Sequence, residues 1–406
     1  MTAPRVALLH VGDELLHGRV VNTGGATLAA ALSDAGYDPV AMELAADREE
    51  PIAAALRRLA ADAEVVVVTG GLGPTPDDIT RDAVARAAGL PLITDPELLA
   101  EVTHRTKGRA PEQNAKQAEI PEGAIVFRNP VGVAAAFCSD VGGTPVYVLP
   151  GVPVELEALL HDALLPDLAR LFPEIAAQER AAVHAFGIAE AVLVEKLGEL
   201  LDRDGRPEVG VTVEHGVLTV TARGTGAAAR AEEIRARLGE DVCGLGHSTL
   251  PRLVLHGLQA REATVAIAES LTGGLIADAL VSLPGASRVL AGAVVAYRPD
   301  VKHALLGVPL EVIESEGVVS ETVARAMARG VRDRLGAAYG VASTGAAGPD
   351  PEEDGTRPGR GFVAVVGPGG AERVVPVRSG GGRNAVRRRF VNAALDQLRR
   401  LLEGDR

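Results

Sequence analysis

A glycine-rich loop that ends in two carboxylates is the segment best suited to chemistry. The valine run Val65–Val68 leads into Thr69-Gly70-Gly71-Leu72-Gly73, and Asp77 and Asp78 follow. Glycines at the carboxyl end of a strand let backbone N–H groups approach a phosphate, and adjacent carboxylates bind hard divalent cations. The loop therefore predicts a site for a phosphorylated ligand. A tight strand-to-helix turn with a solvated aspartate is the alternative interpretation.

Acidic groups also follow two other predicted strands of the same region. Asp13 and Glu14 come after the first strand, and Glu155 comes after the last one. Ligands of open α/β sheets bind at the carboxyl ends of the strands, so we expect these groups to meet around the glycine loop. For Asp13 and Glu14, simple helix capping is the alternative. The expected ligands of a divalent cation are Asp13, Asp77, Asp78 and Glu155.

A second candidate centre lies far along the chain, at Ser270. This serine follows a predicted buried strand and precedes the Gly273-Gly274 turn. On such a turn a serine can act as a nucleophile while nearby N–H groups stabilise an oxyanion. No histidine lies in a matching strand-end segment, so Lys302 is the candidate base, provided that burial or a neighbouring cation lowers its pKa. A helix-capping serine and a surface lysine are the alternatives.

Four further residues fit around this serine. Thr344 and Gly345 end another predicted strand and could supply hydrogen-bond donors, and Arg383 and Arg387 begin the last predicted helix. Guanidinium groups bind phosphates and carboxylates in bidentate fashion, so these arginines could hold an anionic part of a substrate.

Two α/β regions must position these residues. Residues 5–170 alternate strand and helix patterns, which predicts a doubly wound, mostly parallel sheet. Residues 172–250 contain a period-2 hairpin and one helix, which indicates a small α+β module. A third region alternates strands and helices again, with a Pro/Gly-rich loop at 350–360. The predicted domains are 1–171, 172–250 and 251–406. The predicted strands cover 6–11, 65–68, 146–149, 209–213, 217–221, 264–268, 289–296, 340–343, 361–366 and 373–377, and the helices 22–34, 51–61, 80–88, 228–238, 275–281, 320–335 and 384–402.

Composition excludes several classes of protein. The chain has 406 residues, 47% of them hydrophobic, and a net charge of −13, which argues against general binding to nucleic acid or to anionic membranes. Cys138 and Cys243 are the only cysteines, so neither a disulfide scaffold nor a zinc framework is expected. No stretch reaches 18 apolar residues, so no transmembrane helix is expected. We therefore expect a soluble cytoplasmic protein.

Taken in order, these segments resemble the CinA family, the competence/damage-inducible proteins. The resemblance covers essentially the whole chain. In the first region the matches are Gly12-Asp13-Glu14-Leu15-Leu16, Asn22-Thr23, Thr69 to Thr75 with Asp77-Asp78, Asn129-Pro130-Val131-Gly132, and Leu149 to Glu155. In the last region they are Ala268-Glu269-Ser270, Thr272-Gly273-Gly274, Tyr297, Lys302, Val319-Ser320-Glu321, Thr344 to Pro349, and Arg383 with Ala385 to Arg388.

The family resemblance implies two activities. The first domain is similar to molybdopterin-binding-like domains that hydrolyse ADP-ribose with a divalent cation (Mg, Mn or Co), with Asn22, Thr69, Gly70, Gly71 and Gly73 as binding positions. The middle module is similar to a KH-like domain. The last domain resembles amidohydrolases that convert nicotinamide mononucleotide to nicotinate mononucleotide and ammonia without a cofactor. The family resemblance also implies a homodimer. In the last domain Ser270 is the nucleophile and Lys302 its base, with Tyr297, Thr344, Gly273, Gly274, Gly345 and Arg383 in support.

The chain departs from the family pattern at three places. Leu271 stands where a cysteine is usual, and we expect it to pack. Tyr297-Arg298-Pro299 replaces Tyr-Ser-Asn, which adds a cation that could lower the Lys302 pKa, or bulk that could block the pocket. Gly24-Gly25 removes a polar group that could contact a ribose. The competing hypotheses are a non-enzymatic molybdopterin-binding-like protein and an adaptor in DNA uptake or repair that acts through protein partners.

Overall fold

The computed structural model describes residues 3–202, 205–352 and 355–404. The chain forms two compact units, one ending at Gln178 and one beginning at Glu179. None of the helices in the described ranges is long and apolar enough to cross a membrane.

The first unit is built on a six-stranded sheet and a separate two-stranded hairpin. Its strands are β1 (Arg5–Val11), β2 (Asp38–Ala45), β3 (Val65–Thr69), β4 (Leu92–Thr94), β5 (Glu119–Pro121), β6 (Ile125–Phe127), β7 (Ala136–Val141) and β8 (Thr144–Leu149). The order across the sheet is β2-β1-β3-β8-β7-β6, and β4 pairs with β5. The pairs among β2, β1, β3 and β8 are parallel, whereas β7 and β6 are antiparallel additions. The predicted mostly parallel sheet is confirmed.

Helices cover both faces of this sheet, which explains its continuous apolar strands. The helices are α1 (Asp13–Leu16), α2 (Thr23–Asp34), α3 (Glu49–Asp62), α4 (Thr80–Ala88), α5 (Pro96–Arg105), α6 (Pro111–Ala115), α7 (Pro153–Leu159) and α8 (Leu165–Leu171). Val66 and Val68 of β3 enter one hydrophobic core, and Val65 and Val67 enter another. Successive side chains of a strand point to opposite faces, so a strand buried on both sides must be apolar throughout.

The second unit begins with a four-stranded antiparallel sheet. Its elements are β9 (Arg180–Phe186), α9 (Glu190–Leu197), β10 (Glu208–Glu214), β11 (Val217–Arg223), α10 (Ala227–Leu238) and β12 (Val242–Leu245). The order is β10-β11-β9-β12, and the predicted hairpin is present with His215-Gly216 as its turn. We call residues 179–246 the middle module.

A five-stranded mixed sheet forms the rest of the second unit. Its elements are α11 (Leu250–Gln259), β13 (Val265–Glu269), α12 (Leu275–Val281), β14 (Leu290–Val295), α13 (Pro299–Leu306), α14 (Leu310–Glu316), α15 (Glu321–Leu335), β15 (Tyr339–Gly345), β16 (Arg360–Val366), β17 (Glu372–Arg378) and α16 (Arg383–Gly404). The order is β14-β13-β15-β16-β17, with β14, β13 and β15 parallel. The described part of the predicted loop 350–360 contains no helix and only the first residue of β16, and residues 353 and 354 lie outside the described ranges.

Helix α16 also packs against the middle module. The Arg389 guanidinium lies 5.5 Å from the centre of the Phe186 ring, and Asn392 Nδ2 donates to the His215 carbonyl at 3.1 Å. Near the other end of the helix, Arg400 Nη2 donates to the Glu240 carbonyl at 3.2 Å. The middle module and the last sheet therefore share this helix.

The sequence analysis missed seven of the described strands, β2, β4, β5, β6, β7, β9 and β12. Strand β2 lies at the sheet edge, where Val40, Met42 and Leu44 are exposed and charged residues interrupt the pattern. Strand β9 carries three alanines among seven residues, a composition that favours a helix as much as a strand.

Candidate functional sites

Ser270 and Lys302 are in direct contact in the second unit. Lys302 Nζ donates to Ser270 Oγ at 2.9 Å and to the Ala296 carbonyl at 2.7 Å. Lys302 is 1% exposed and Ser270 8%. Burial lowers the pKa of Lys302 to about 8, while the Glu352 carboxylate acts in the opposite direction. A buried ammonium of this kind loses its proton far more readily than an ordinary lysine, so Lys302 can accept the serine proton.

Burial, and not a neighbouring cation, explains the lowered pKa of Lys302. The Arg298 guanidinium, one of the two predicted causes, binds the Asp300 carboxylate instead, with Nε–Oδ1 at 3.0 Å and Nη2–Oδ2 at 2.8 Å. Arg298 and Pro299 also leave the pocket open: they line a cavity of about 790 Å³ together with Ser270 and Lys302.

The turn that presents Ser270 is built around Glu269. This carboxylate is fully buried and accepts N–H groups from Gly274 at 2.9 Å, Ile276 at 3.1 Å and Ala277 at 3.0 Å. It thereby satisfies the free donors at the start of α12. Gly273 and Gly274 have φ values of 57° and 97°, a region in which glycine is favoured. Neither glycine is among the described residues that line the Ser270 cavity, so both shape the turn.

Arg387 and Ser343 fix this turn from other elements. Arg387 Nε donates to the Leu271 carbonyl at 3.0 Å, and its Nη2 donates to the Thr272 carbonyl at 2.8 Å. The Thr272 and Ser343 hydroxyls are 2.7 Å apart, and the Ser270 N–H donates to the Ser343 carbonyl at 3.1 Å. Arg387 was predicted as an anion-binding residue, but its donors point to the chain itself.

The other predicted residues of this site fall into two groups. Tyr297, Thr344 and Gly345 line the cavity with Ser270. The Thr344 hydroxyl donates to the Val318 carbonyl at 2.7 Å, which holds the opposite wall. Arg383 is not among the described lining residues. Its Nη1 donates to the Gly348 carbonyl at 2.6 Å and its Nη2 to the Tyr297 hydroxyl at 2.9 Å, so it reaches the cavity only through Tyr297.

A cavity of about 580 Å³ lies at the carboxyl ends of the parallel strands in the first unit. Asp13 is not among the described lining residues, although its neighbour Glu14 is. Asp47, which follows β2, lines the cavity and was missed because β2 itself was missed. The predicted residues that line it are Asn22, Thr69, Gly70, Gly71, Gly73, Asp77, Asp78 and Glu155.

Three of the carboxylates that line this cavity, those of Asp47, Asp78 and Glu155, accept hydrogen bonds from the chain. Asp78 Oδ2 accepts the Thr75 N–H at 2.8 Å and the Thr75 hydroxyl at 2.5 Å, and Glu155 Oε2 accepts from Asn129 Nδ2 at 2.7 Å. Asp13 and Asp47 each accept the backbone N–H of the other, at 3.3 and 2.7 Å. Within residues 3–202, 205–352 and 355–404, no three acidic, histidine or cysteine side chains are close enough to bind a metal ion.

The charges around this cavity nevertheless fit a cation. Burial raises the pKa of Asp47, and the negative charges of Asp13, Glu14 and Asp77 raise it further. Carboxylate oxygens that repel one another at a strand-end edge are the ligand type that Mg²⁺ and Mn²⁺ prefer. The residues therefore suit a hard cation in chemistry, although they are not gathered into a coordination sphere.

Two fully buried side chains, which the sequence analysis did not single out, support the glycine loop. His10 Nδ1 lies 2.7 Å from the Thr69 hydroxyl, and burial lowers the His10 pKa to about 4, so the ring stays neutral. Arg81 Nη2 donates to the Leu72 carbonyl at 2.9 Å. The loop itself has little room: a methyl group on Gly71 would lie 2.1 Å from Thr80 Oγ1.

Comparison with known proteins matches both regions. Residues 7–170 match the family model "Probable molybdopterin binding domain", and residues 247–402 match the CinA C-terminal domain. A CinA-like protein from Frankia casuarinae is 38% identical over 98% of this chain and 96% of its own length. A CinA-like protein from Gloeobacter violaceus is also 38% identical, over 98% and 96%. The chain belongs to the CinA family.

Solved CinA-family structures are similar to part of the chain. A CinA protein from Thermoplasma acidophilum is 36% identical with a TM-score of 0.39, over 41% of this chain and 99% of that one. The competence/damage inducible protein CihA from Agrobacterium tumefaciens is 35% identical with a TM-score of 0.37, over 37% and 93%.

Two of the departures from the CinA pattern have a structural explanation. Leu271 is 3% exposed and belongs to the hydrophobic core, so it packs as predicted. At Gly25, a methyl group would lie 2.9 Å from His10 Nε2 and 2.7 Å from Asn22 Nδ2, so the glycine makes room for these two side chains.

Proposed function

We propose that the second unit is an amidohydrolase that converts nicotinamide mononucleotide to nicotinate mononucleotide and ammonia. The observation that carries this proposal is the 2.9 Å contact between Lys302 Nζ and Ser270 Oγ. The pair is buried, and the pKa of Lys302 is lowered to about 8. A nucleophile in contact with a base that can be neutral is the minimum set for covalent hydrolysis of an amide.

These two side chains and water can carry all the proton transfers of the reaction. Neutral Lys302 takes the Ser270 proton as Oγ bonds to the carboxamide carbon, and the resulting ammonium returns that proton to the departing amine, which leaves as ammonia. Lys302 next takes a proton from water, whose oxygen attacks the acyl-serine ester. The Ser270–carbon bond breaks, and Ser270 regains its proton as the carboxylate is released.

The turn after Ser270 offers donors for the developing oxyanion. Across the described residues, no backbone or side-chain acceptor receives the N–H groups of Leu271 and Thr272. The carbonyls of the same two residues are held by Arg387, which keeps the turn rigid. Preorganised N–H donors next to a nucleophile are the usual source of oxyanion stabilisation.

The direct test measures ammonia release from nicotinamide mononucleotide by the full chain. We expect activity in the parent and its loss in Ser270→Ala and Lys302→Met. Ser282→Ala and Lys196→Met are matched controls, because they remove an exposed serine on the same unit and an exposed lysine paired with Asp241. Parental rates in Ser270→Ala would refute the mechanism. No ammonia from the parent would favour the non-enzymatic alternatives.

A second activity, hydrolysis of ADP-ribose to AMP and ribose 5-phosphate, is proposed for the first unit. The observation that favours it is the set of Glu14, Asp47, Asp77, Asp78 and Glu155 around the glycine loop. A divalent cation bound by these carboxylates would polarise the pyrophosphate and neutralise its charge. The N–H groups at the strand end would bind the phosphates, and Asn22 lies where it could contact a ribose. The test is AMP formation in the presence of Mg²⁺, Mn²⁺ or Co²⁺.

We further propose that the protein acts as a homodimer. The family resemblance implies it, and closed dimers are the commonest assembly of soluble enzymes. Light scattering at micromolar concentration should give about twice 41.8 kDa, and a mass near 41.8 kDa would refute it.

A further inference from the structure

The Ser270 cavity has a strongly uneven distribution of charge. Carboxylates of Glu314, Glu316 and Glu352 line it, and Glu314 and Glu316 stand at the end of α14. Among the described residues that line the cavity, the only cations are Lys302 and Arg298. The Lys302 ammonium is already bound to Ser270 and to the Ala296 carbonyl. Of these two cations, Arg298 is therefore the one that remains for an anionic group of a ligand.

Arg298 already takes part in an anion site that the chain fills itself. It is the N-cap residue of α13, and its guanidinium binds the Asp300 carboxylate through Nε and Nη2. Hydrogen bonds from Arg298 and from the backbone N–H groups of Asp300 and Val301 hold the pKa of Asp300 below its ordinary value. The Arg298 side chain is 74% exposed, so a stronger anion can displace Asp300 with little rearrangement.

Arg383, the residue predicted to bind the anionic part of the substrate, makes hydrogen bonds to the chain instead. Arg383 donates to the Gly348 carbonyl and the Tyr297 hydroxyl, and it is not among the described residues that line the cavity. Through its hydrogen bond to the Tyr297 hydroxyl, Arg383 holds that side chain in place. Arg298 stands in the segment where this chain departs from the Tyr-Ser-Asn pattern, so recognition of the anion would be a property of this chain.

We propose that Arg298 is the specificity-determining residue of this site and that it binds the phosphate of a pyridine mononucleotide. The substrate would then be a zwitterion, with its phosphate at Arg298 and its cationic ring near the acidic wall of Glu314, Glu316 and Glu352. This inference rests on the proposed amidohydrolase function, because the amide must lie at Ser270.

The experiment measures equilibrium binding, which does not depend on turnover. Full-length Ser270→Ala protein is titrated calorimetrically with nicotinamide mononucleotide and with nicotinamide riboside, which lacks the phosphate. We expect the mononucleotide to bind more tightly. Adding Arg298→Ala should raise its Kd roughly tenfold and leave the riboside unchanged, since one charge-assisted hydrogen-bonded contact at an exposed site has about that effect. Arg298→Lys should give an intermediate value, because it keeps the charge and loses the bidentate geometry.

Asp300→Asn should change mononucleotide affinity in the opposite direction to Arg298→Ala. It removes the internal carboxylate that competes for Arg298, so mononucleotide binding should tighten by about threefold. Arg288→Ala, which removes an exposed arginine outside the cavity, is the matched control and should change nothing. Melting temperatures of all variants check that each one folds.

The outcomes separate this inference from the proposed function. Equal binding of both ligands, or an unchanged mononucleotide Kd in Arg298→Ala, overturns the role of Arg298 even if the parent releases ammonia. Loss of mononucleotide binding in Arg298→Ala supports it even if the parent releases no ammonia, in which case the amidohydrolase proposal fails alone. A parent that binds neither ligand overturns both. The reduced mononucleotide, whose ring is uncharged, should bind more weakly than the oxidised form if the acidic wall contributes.

Discussion

The two cavities occupy equivalent places in their sheets. They differ in whether their candidate functional groups are already in contact with one another. Both lie at the carboxyl ends of parallel strands. In the second unit the two groups proposed to react are in contact, with Lys302 Nζ 2.9 Å from Ser270 Oγ. In the first unit five carboxylates line one cavity, yet no three of the described acidic, histidine or cysteine side chains are close enough to bind a metal.

Electrostatics explains the difference. A lysine can be buried beside a hydroxyl because it can shed its charge, and its lowered pKa records that tendency. Carboxylates that share a cavity repel one another, and burial, together with the negative charges of Asp13, Glu14 and Asp77, raises the pKa of Asp47. Asp47, Asp78 and Glu155 each bind a donor of the chain. The proposed nucleophilic pair is assembled by folding alone, whereas the proposed metal site would need the ion to bring its carboxylates together.

Removal of the nucleophile or its base should have the largest effect and should affect one cavity only. We expect Ser270→Ala and Lys302→Met each to lower kcat for ammonia release by roughly 10³-fold or more, and the double variant to be no worse, since the two side chains act as one unit. ADP-ribose hydrolysis by the same preparations should be unchanged. Parallel loss of both activities would show that the two cavities are not independent.

Chelation should produce the converse result. EDTA should lower ADP-ribose hydrolysis by roughly 100-fold or more and leave ammonia release unchanged, because a cation is proposed for the first cavity alone. Asp77→Ala and Asp78→Ala should each have a similar effect without unfolding the protein, with the exposed Glu122 as the site of a matched control, Glu122→Ala. EDTA-resistant hydrolysis of ADP-ribose would contradict the metal proposal.

Stability should reveal how the turn at Ser270 is held. Glu269→Ala would leave three N–H groups at the start of α12 without their acceptor, and we expect the free energy of unfolding to fall by about 3 kcal/mol. Glu269→Gln should cost less, because its amide oxygen can still accept. Urea titration of the full chain measures both, with Glu311→Ala as a surface control. A wild-type midpoint for Glu269→Ala would show that the buried carboxylate is dispensable.

The pH dependence of ammonia release should show the smallest of these effects, and it should distinguish the two cavities. Only neutral Lys302 can act as base, so kcat/KM should rise tenfold per pH unit below about 8 and level off above it. Lys302 belongs to the other unit, so hydrolysis of ADP-ribose should not follow the same curve. A flat profile for ammonia release between pH 6 and 8 would argue against Lys302 as base.

The sequence predicted the positions of the two cavities better than it predicted their contacts. Thr69 ends β3 and Ser270 follows β13, two strands whose burial is plain from their apolar runs. In each sheet the parallel arrangement places the strand ends at one edge. Asp47 was missed because its strand lies at the sheet edge and lacks such a run. The contacts of Arg383 and Arg387 could not be predicted, because a long side chain on a helix can turn to a ligand or to the chain. The role of Glu269 could have been predicted, because a charged residue at the end of a buried strand needs hydrogen-bond partners within the chain.

Helix α16 has a practical consequence for anyone who dissects this protein. One helix supports the Ser270 turn through Arg387 and meets the middle module through Arg389, Asn392 and Arg400. A fragment that starts at residue 251 would leave those last three side chains facing solvent with their partners deleted. A fragment that starts at Glu179 keeps every one of these contacts. The cleavage point for separating the two proposed activities is therefore the peptide bond between Gln178 and Glu179.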